Sequence, residues 1–263
     1  NDWMGLADFK RIFFWEYLHR LLGRLIGVVW FVPWVYFVAR GRLRGWARDT
    51  LIAGVLGGAQ GLLGWFMVKS GLVDVPAVSH FRLAAHLSLA FGVACWIAWI
   101  LFQGRARAPD AALRRGAWAL LGLVVVQIVW GAFMAGSRAG FLYATFPGYH
   151  GEWVPSGAFA RGLGAALEHP AAIHFVHRTL GWLVAFAALA WALAAHRRGR
   201  PALALGVFGL TLAQFLLGVA TVIGSVPVGI ATAHQLGGLA LLTACLYAAY
   251  ACGAVTSASR PSR

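Results

Sequence analysis

Four histidines in this chain are each followed, four residues on, by a small residue: His19 by Gly23, His86 by Ala90, His177 by Gly181 and His234 by Gly238. In a helix that spacing puts both residues on one face, so an imidazole projects beside a strip without bulk. Neutral imidazole is a common metal ligand and its charge changes near neutral pH, so a metal site and proton transfer are the two chemistries to consider. Arg20 and Arg178 follow the first and third of these histidines directly, Arg24 lies one turn further, and Glu16 stands one turn before His19. The position equivalent to Glu16 in front of His177 is occupied by His174. All of these ionisable groups sit in apolar runs, where charge is costly and by default functional.

The elements that must position them are membrane helices. The chain has 60% hydrophobic and 11% charged residues with a mean hydropathy of +0.73, a composition that excludes an ordinary soluble domain. Apolar runs long enough to cross a bilayer fall at 12–38, 50–68, 81–102, 117–137, 171–195, 203–223 and 231–252, giving seven spans. The net charge of +14 is concentrated in alternate connections. Residues 39–49 carry Arg40, Arg42, Arg44 and Arg48, residues 103–116 carry Arg105, Arg107, Arg114 and Arg115, residues 196–202 carry Arg197, Arg198 and Arg200, and the tail adds Arg260 and Arg263. By the positive-inside rule these connections are cytoplasmic and the chain begins outside. The basic balance therefore reports topology and contact with anionic lipid, and no nucleic-acid partner is expected. Cys95, Cys245 and Cys252 lie in apolar runs without metal spacing and imply no disulfide framework.

The chain repeats itself. His19-Arg20-x-x-Gly23 recurs as His177-Arg178-x-x-Gly181 at an offset of 158, Gln60-x-x-x-Gly64 as Gln214-x-x-x-Gly218 at 154, and His86-Leu87 as His234-Gln235 at 148. The second half has a further span before its His-Arg helix, with its own Gln127-x-x-x-Gly131. An eighth span is accordingly expected upstream of Asn1. The fold class is an all-α integral membrane protein whose parent form is two pseudo-symmetric four-helix bundles. The expected parts are an N-terminal half-bundle at 1–102, a cytoplasmic linker at 103–116, a C-terminal four-helix bundle at 117–252 and a cytoplasmic tail at 253–263.

The four histidines lie at similar depth, within the first turns of spans that start outside. A bis-histidine haem needs two imidazoles aimed at each other from different helices, with small residues to admit the macrocycle. His19 with His86, and His177 with His234, meet that need once in each half, and Gly23, Gly181 and Gly238 supply the flat strips. Arg20, Arg24 and Arg178 match haem propionates, which arginine grips bidentately. The bland alternatives are interfacial histidines, arginines snorkelling to headgroups, Glu16 merely pairing with Arg20 at i,i+4, and Gln60, Gln127 and Gln214 as interhelical glue. A carboxylate held near a haem in apolar surroundings can donate or accept protons. Glu16 occurs in one half only, so any chemistry belongs to the first half. Residues 136–170 are too long for a minimal connection, and serve as a lid over the haem side or as a spacer between bundles.

The stretch Glu16-Tyr17-Leu18-His19-Arg20, the run from Phe81 to Leu87, the segment Gly131–Gly140 with Tyr143-Ala144-Thr145-Phe146-Pro147, the His177-Arg178 pair, and Val226-Pro227 followed by His234-Gln235 together resemble haem A synthase. The resemblance runs through nearly the whole chain in order. It is closest to the branch shared by proteobacteria and mitochondria, without the loop cysteine pairs of the Gram-positive branch. It implies eight spans, His177 and His234 as axial ligands of a resident haem b, and His19 and His86 at the site where a methyl group of haem O becomes the formyl group of haem A. Glu16 matches the family's essential acidic position. Electrons passing through haem b, an electron donor of unknown identity, haem O synthase and cytochrome oxidase assembly factors are implied as well. So is a bacterial inner membrane with the haem sites toward the periplasm, the mitochondrial inner membrane being the other possibility. A diheme b-type cytochrome that only relays electrons needs the same four histidines but not Glu16, and a haem carrier would ligate weakly at both sites.

Overall fold

A computed structural model of the chain describes residues 5–71 and 79–254. The tail cations Arg260 and Arg263 lie outside the described residues. Among these residues the secondary structure is helical: α1 (Leu6–Ala39), α2 (Ala47–Gly71), α3 (His80–Phe102), α4 (Ala111–Gly136), a 3-10 turn at Ala139–Phe141, a short α5 (Ala165–Glu168), α6 (Pro170–Arg197), α7 (Pro201–Ile223) and α8 (Val228–Ala251). Seven of the helices are long and apolar enough to cross a membrane, matching the seven spans expected from hydropathy.

The described residues form two compact units, divided between Trp65 and Phe66. In the first, α1 and most of α2 form a hairpin through Gly41 and Gly45, both at positive φ. The Trp30 indole lies where a Cβ on Gly54 would fall, and Trp34 Nε1 donates to Thr50 Oγ1 at 3.0 Å. A glycine here lets a helix backbone approach a large ring, which takes the place of hydrophobic driving force inside a bilayer.

In the second unit α4, α6, α7 and α8 each pack against two others and close a four-helix ring, and α3 lies against α4 and α8. The core is built from Leu113, Ala117, Leu120 and Val124 of α4, Val184, Ala188 and Ala195 of α6, Val207 of α7, and Leu241, Cys245 and Ala249 of α8. Trp191 of α6 reaches across to donate its Nε1–H to the Leu113 carbonyl at 3.0 Å.

The connection expected at 103–116 ends earlier than hydropathy suggested, because α4 begins at Ala111. Asp110 starts it: its carboxylate accepts from Ala112 N at 3.1 Å and Leu113 N at 3.0 Å, which is N-capping. Arg198 Nη1 meets both oxygens of the same carboxylate at 3.1 and 3.0 Å. These donors hold the Asp110 carboxyl below its usual range, the Leu113 N–H first and Arg198 next. Arg114 and Arg115 therefore belong to the first helical turns rather than to a loop, with side chains long enough to leave the apolar layer.

At the other end of this unit the 137–169 connection is fastened on both flanks. Trp130 Nε1 donates to Ala166 O at 3.2 Å, and His80 Nε2 lies 2.8 Å from Leu167 O, so α5 is tied to α4 and α3. Its middle is tied to α6 through Arg178, described below.

Candidate functional site

His177 of α6 and His234 of α8 face each other inside the second unit, their ring centroids 6.5 Å apart and their planes at 90°. Because α6 and α8 are not consecutive, closing the four-helix ring is what brings them together. A carbonyl lies beside each ring. His234 Nδ1 is 3.1 Å from the backbone oxygen of Gln214, and since a carbonyl can only accept, Nδ1 carries the proton and Nε2 keeps its lone pair. The Gln127 backbone faces the ring of His177, although His177 Nδ1 finds no hydrogen-bond partner among the described residues. Each ring also rests on a glycine of a neighbouring helix: a Cβ on Gly131 of α4 would come within 3.2 Å of His177 Cε1, and one on Gly218 of α7 within 2.9 Å of His234 Cε1.

This pair suits two axial ligands of one haem iron. A metal–imidazole bond is about 2 Å and the ring centre lies roughly 1.1 Å behind the ligating nitrogen, so two such ligands set their centroids roughly 6.3 Å apart. His234 keeps Nε2 for ligation while its Nδ1 is directed at a backbone carbonyl, the usual way a ligating histidine is oriented, and His177 has the Gln127 backbone beside its ring.

Gly181 and Gly238, expected to leave space for a flat group, stand in contact with amides. A Cβ on either would lie 3.4 Å from a glutamine Nε2, that of Gln127 and Gln214 respectively.

Arg178, expected near a propionate, has three of its five N–H groups engaged. Nε donates to His174 Nε2 at 2.9 Å, Nη1 to Gly148 O at 3.1 Å and Nη2 to Tyr143 O at 3.0 Å. Its guanidinium also lies 4.4 Å from the ring centre of Tyr149, a cation–π contact. Two N–H groups remain for a further acceptor. His174, fully buried, accepts from this arginine and occupies the position that Glu16 holds in the first half. Burial pushes the Tyr149 phenol up to about 12 against the opposing pull of Arg178. Further out in the same loop, Glu152 accepts from the hydroxyl and the N–H of Ser156, which hold its carboxyl below the usual range.

Glu16, His19, Arg20 and Arg24 line α1 in the first unit, all of them exposed. Glu16 pairs with Arg20 one turn on. A Cβ on Gly23 or Gly27 would meet nothing within 4 Å among the described residues, so that face of α1 is open. His86 belongs to α3 of the second unit and is partly buried.

Residues 2–246 match the family described as cytochrome oxidase assembly protein, COX15-CtaA. The chain belongs to this family. Among its relatives, the protein named Heme A synthase of Paramagnetospirillum magneticum is 43% identical over 96% of this chain and 75% of its own length. Those of the same name from Paracoccus denitrificans and Maricaulis maris are 41% and 42% identical, over 94% and 95% of this chain and 69% and 76% of their own lengths.

For this member of the family, sequence placed Tyr143, Gly148 and Tyr149 in the long connection but gave no sign of their contacts with Arg178. Two of the three contacts they make with Arg178 are through backbone oxygens, which every residue carries, so residue type gave no signal. The glutamine-glycine repeat was visible, but its role beside the histidines was not.

Proposed function

We propose that this chain is a haem A synthase, an oxidoreductase that converts a methyl group of haem O into the formyl group of haem A. Family membership and relatives of that name support the activity. The observation that carries the haem chemistry is the His177–His234 pair at 6.5 Å and 90°.

In this reading His177 and His234 hold a resident haem b, which when bound supplies a one-electron redox centre. His234 donates its Nδ1–H to a backbone carbonyl, which leaves Nε2 to ligate, and the Gln127 backbone lies beside the His177 ring. The 137–169 connection, fastened by Arg178, Trp130 and His80, shields that end of the bundle from water. Arg178 has two N–H groups left to offer a propionate.

The sequence repeat and the family resemblance assign His19 and His86 to the substrate, haem O. Arg20 and Arg24 provide cations for its propionates, and the open face at Gly23 and Gly27 gives a planar macrocycle room to lie against α1. Glu16, paired with Arg20, holds or accepts a proton at the methyl undergoing oxidation. His174, committed to Arg178, offers no such carboxylate in the second half.

The membrane is a bacterial inner membrane. The arginines at 40–48, 105–115 and 197–200 lie on its cytoplasmic side, which turns the histidine end outward. Haem O synthase, oxidase assembly factors and an electron donor are the partners of such an enzyme.

The test is conversion. Full-length protein in membranes that lack haem A synthase activity is supplied with haem O, and the extracted haems are separated by chromatography. Accumulation of haem A is expected. Haem O recovered unchanged from protein that has bound it would overturn the assignment.

A further inference from the structure

We propose that Gln127 and Gln214 are positioning residues for the axial histidines, each packed against the histidine of a neighbouring helix through matched glycine seats, with a reciprocal hydrogen-bonded contact between Gln214 and His234. The inference rests on the reading of His177 and His234 as a haem ligand pair.

The contact is complete between α7 and α8. His234 Nδ1–H donates to the backbone oxygen of Gln214 at 3.1 Å, and Gln214 Nε2 donates to the backbone oxygen of His234 at 2.8 Å. One turn beyond the glutamine, Gly218 seats the imidazole, since a Cβ there would approach His234 Cε1 to 2.9 Å. One turn beyond the histidine, Gly238 seats the glutamine amide, 3.4 Å from where its Cβ would be. Gly237 lies against the oxygen of the same amide. The backbone bond from Nε2 fixes which end of the amide is the donor.

Between α4 and α6 the two glycine seats and the glutamine backbone beside the ring recur, without the pair of hydrogen bonds. The Gln127 backbone faces the His177 ring, Gly131 would bring a Cβ to 3.2 Å from His177 Cε1, and Gly181 would bring one to 3.4 Å from Gln127 Nε2. The repeat Gln-x-x-x-Gly followed by His-x-x-x-Gly is therefore one device: a carbonyl to fix the tautomer, a glycine to admit the ring, an amide to grip the histidine backbone and a second glycine to admit the amide. Glutamine used only to bind helices together needs some polar partner across the interface. It does not need its own carbonyl beside Nδ1 or a glycine beneath the ring. Outer partners of this kind orient a metal ligand and tune the metal.

The experiment uses the full-length protein with its haems bound. Gly218→Ala, Gly131→Ala, Gln214→Met and Gln127→Met are compared with the parent for haem b occupancy, for the electron paramagnetic resonance signal of the low-spin haem and for its midpoint potential, with thermal unfolding measured alongside. Removing such outer partners weakens metal affinity by about 10–100-fold, and a loss of that order with a displaced resonance and potential is expected for Gly218→Ala. Gly131→Ala should do the same more weakly, because 3.2 Å asks less movement of the ring than 2.9 Å. Alanine favours the helix over glycine, so a purely structural role predicts unchanged spectra and equal or better thermal stability. That outcome in Gly218→Ala and Gln214→Met overturns the proposal. If Gln214→Met does not fold, Gly218→Ala decides alone. His177→Ala and His234→Ala separate the two levels: haem loss in both with silent glycine and glutamine variants overturns the positioning role only, whereas low-spin haem b retained in both removes the ligand pair and this inference with it.

Discussion

The imidazoles of His177 and His234 lie 6.5 Å apart with their planes at 90°, although 57 positions separate them in the chain and a whole helix, α7, intervenes. Their encounter is a product of the ring formed by α4, α6, α7 and α8. The site is built by the bundle rather than by any local motif. The consequences divide into those of the loop above the pair, of the acidic residue on α1 and of the far end of the bundle.

Arg178→Lys should loosen the 137–169 connection. Lysine keeps the charge but cannot reach His174, Gly148 O and Tyr143 O together as the planar fork does. A hydrogen bond to a charged group contributes about 1.5–3 kcal/mol, so losing one or two of them should raise amide hydrogen exchange around Tyr143 and Gly148 by roughly tenfold or more. Unchanged exchange there would mean that the loop is held by its other ties, Trp130 and His80.

Glu16→Gln should remove turnover while sparing haem binding. The amide still accepts from Arg20 but cannot take up a proton, and general acid–base groups contribute about 100-fold or more. Haem O should therefore remain bound and unconverted, as read by chromatography of the extracted haems. Haem A formed at the parent rate would remove Glu16 from the chemistry and leave it the partner of Arg20 only.

Asp110 caps α4 and grips Arg198, and its two tasks separate by substitution. Asparagine is as good a cap as aspartate, so Asp110→Asn should lose only the ion pair and Asp110→Ala both. Melting in detergent should fall for alanine and less for asparagine. Because the folded carboxyl titrates below its ordinary value of 3.8, the ionised form is the stabilising one. The advantage of the parent over Asp110→Ala should be full above that value and shrink as pH falls through the lowered one. A difference that persists unchanged well below it would contradict the cap.

What the sequence made legible follows from what residue types encode. Hydropathy marked all seven spans, and two turns of α4 escaped it because Arg114 and Arg115 look like loop residues until Asp110 is seen capping the helix. Repeat matching picked out His177 and His234. Spacing placed Gly181 and Gly238 on the histidine face, but periodicity gives a face and not its neighbour, and the neighbours are the amides of Gln127 and Gln214. The anchorage of Arg178 to the loop was beyond reach for a plainer reason: its two loop acceptors lie 30 and 35 positions away and are backbone carbonyls. For α1, sequence and structure give the same local picture, an acidic residue, a histidine and two open glycines on one helix.

The most direct measurement is the haem inventory of the purified full-length protein, by acid–acetone extraction, chromatography and mass analysis. A synthase with a resident haem and a substrate site should yield haem b together with haem O, haem A or an oxidation state of the methyl between them. Haem b alone, at two per chain, would contradict the account and describe an electron relay.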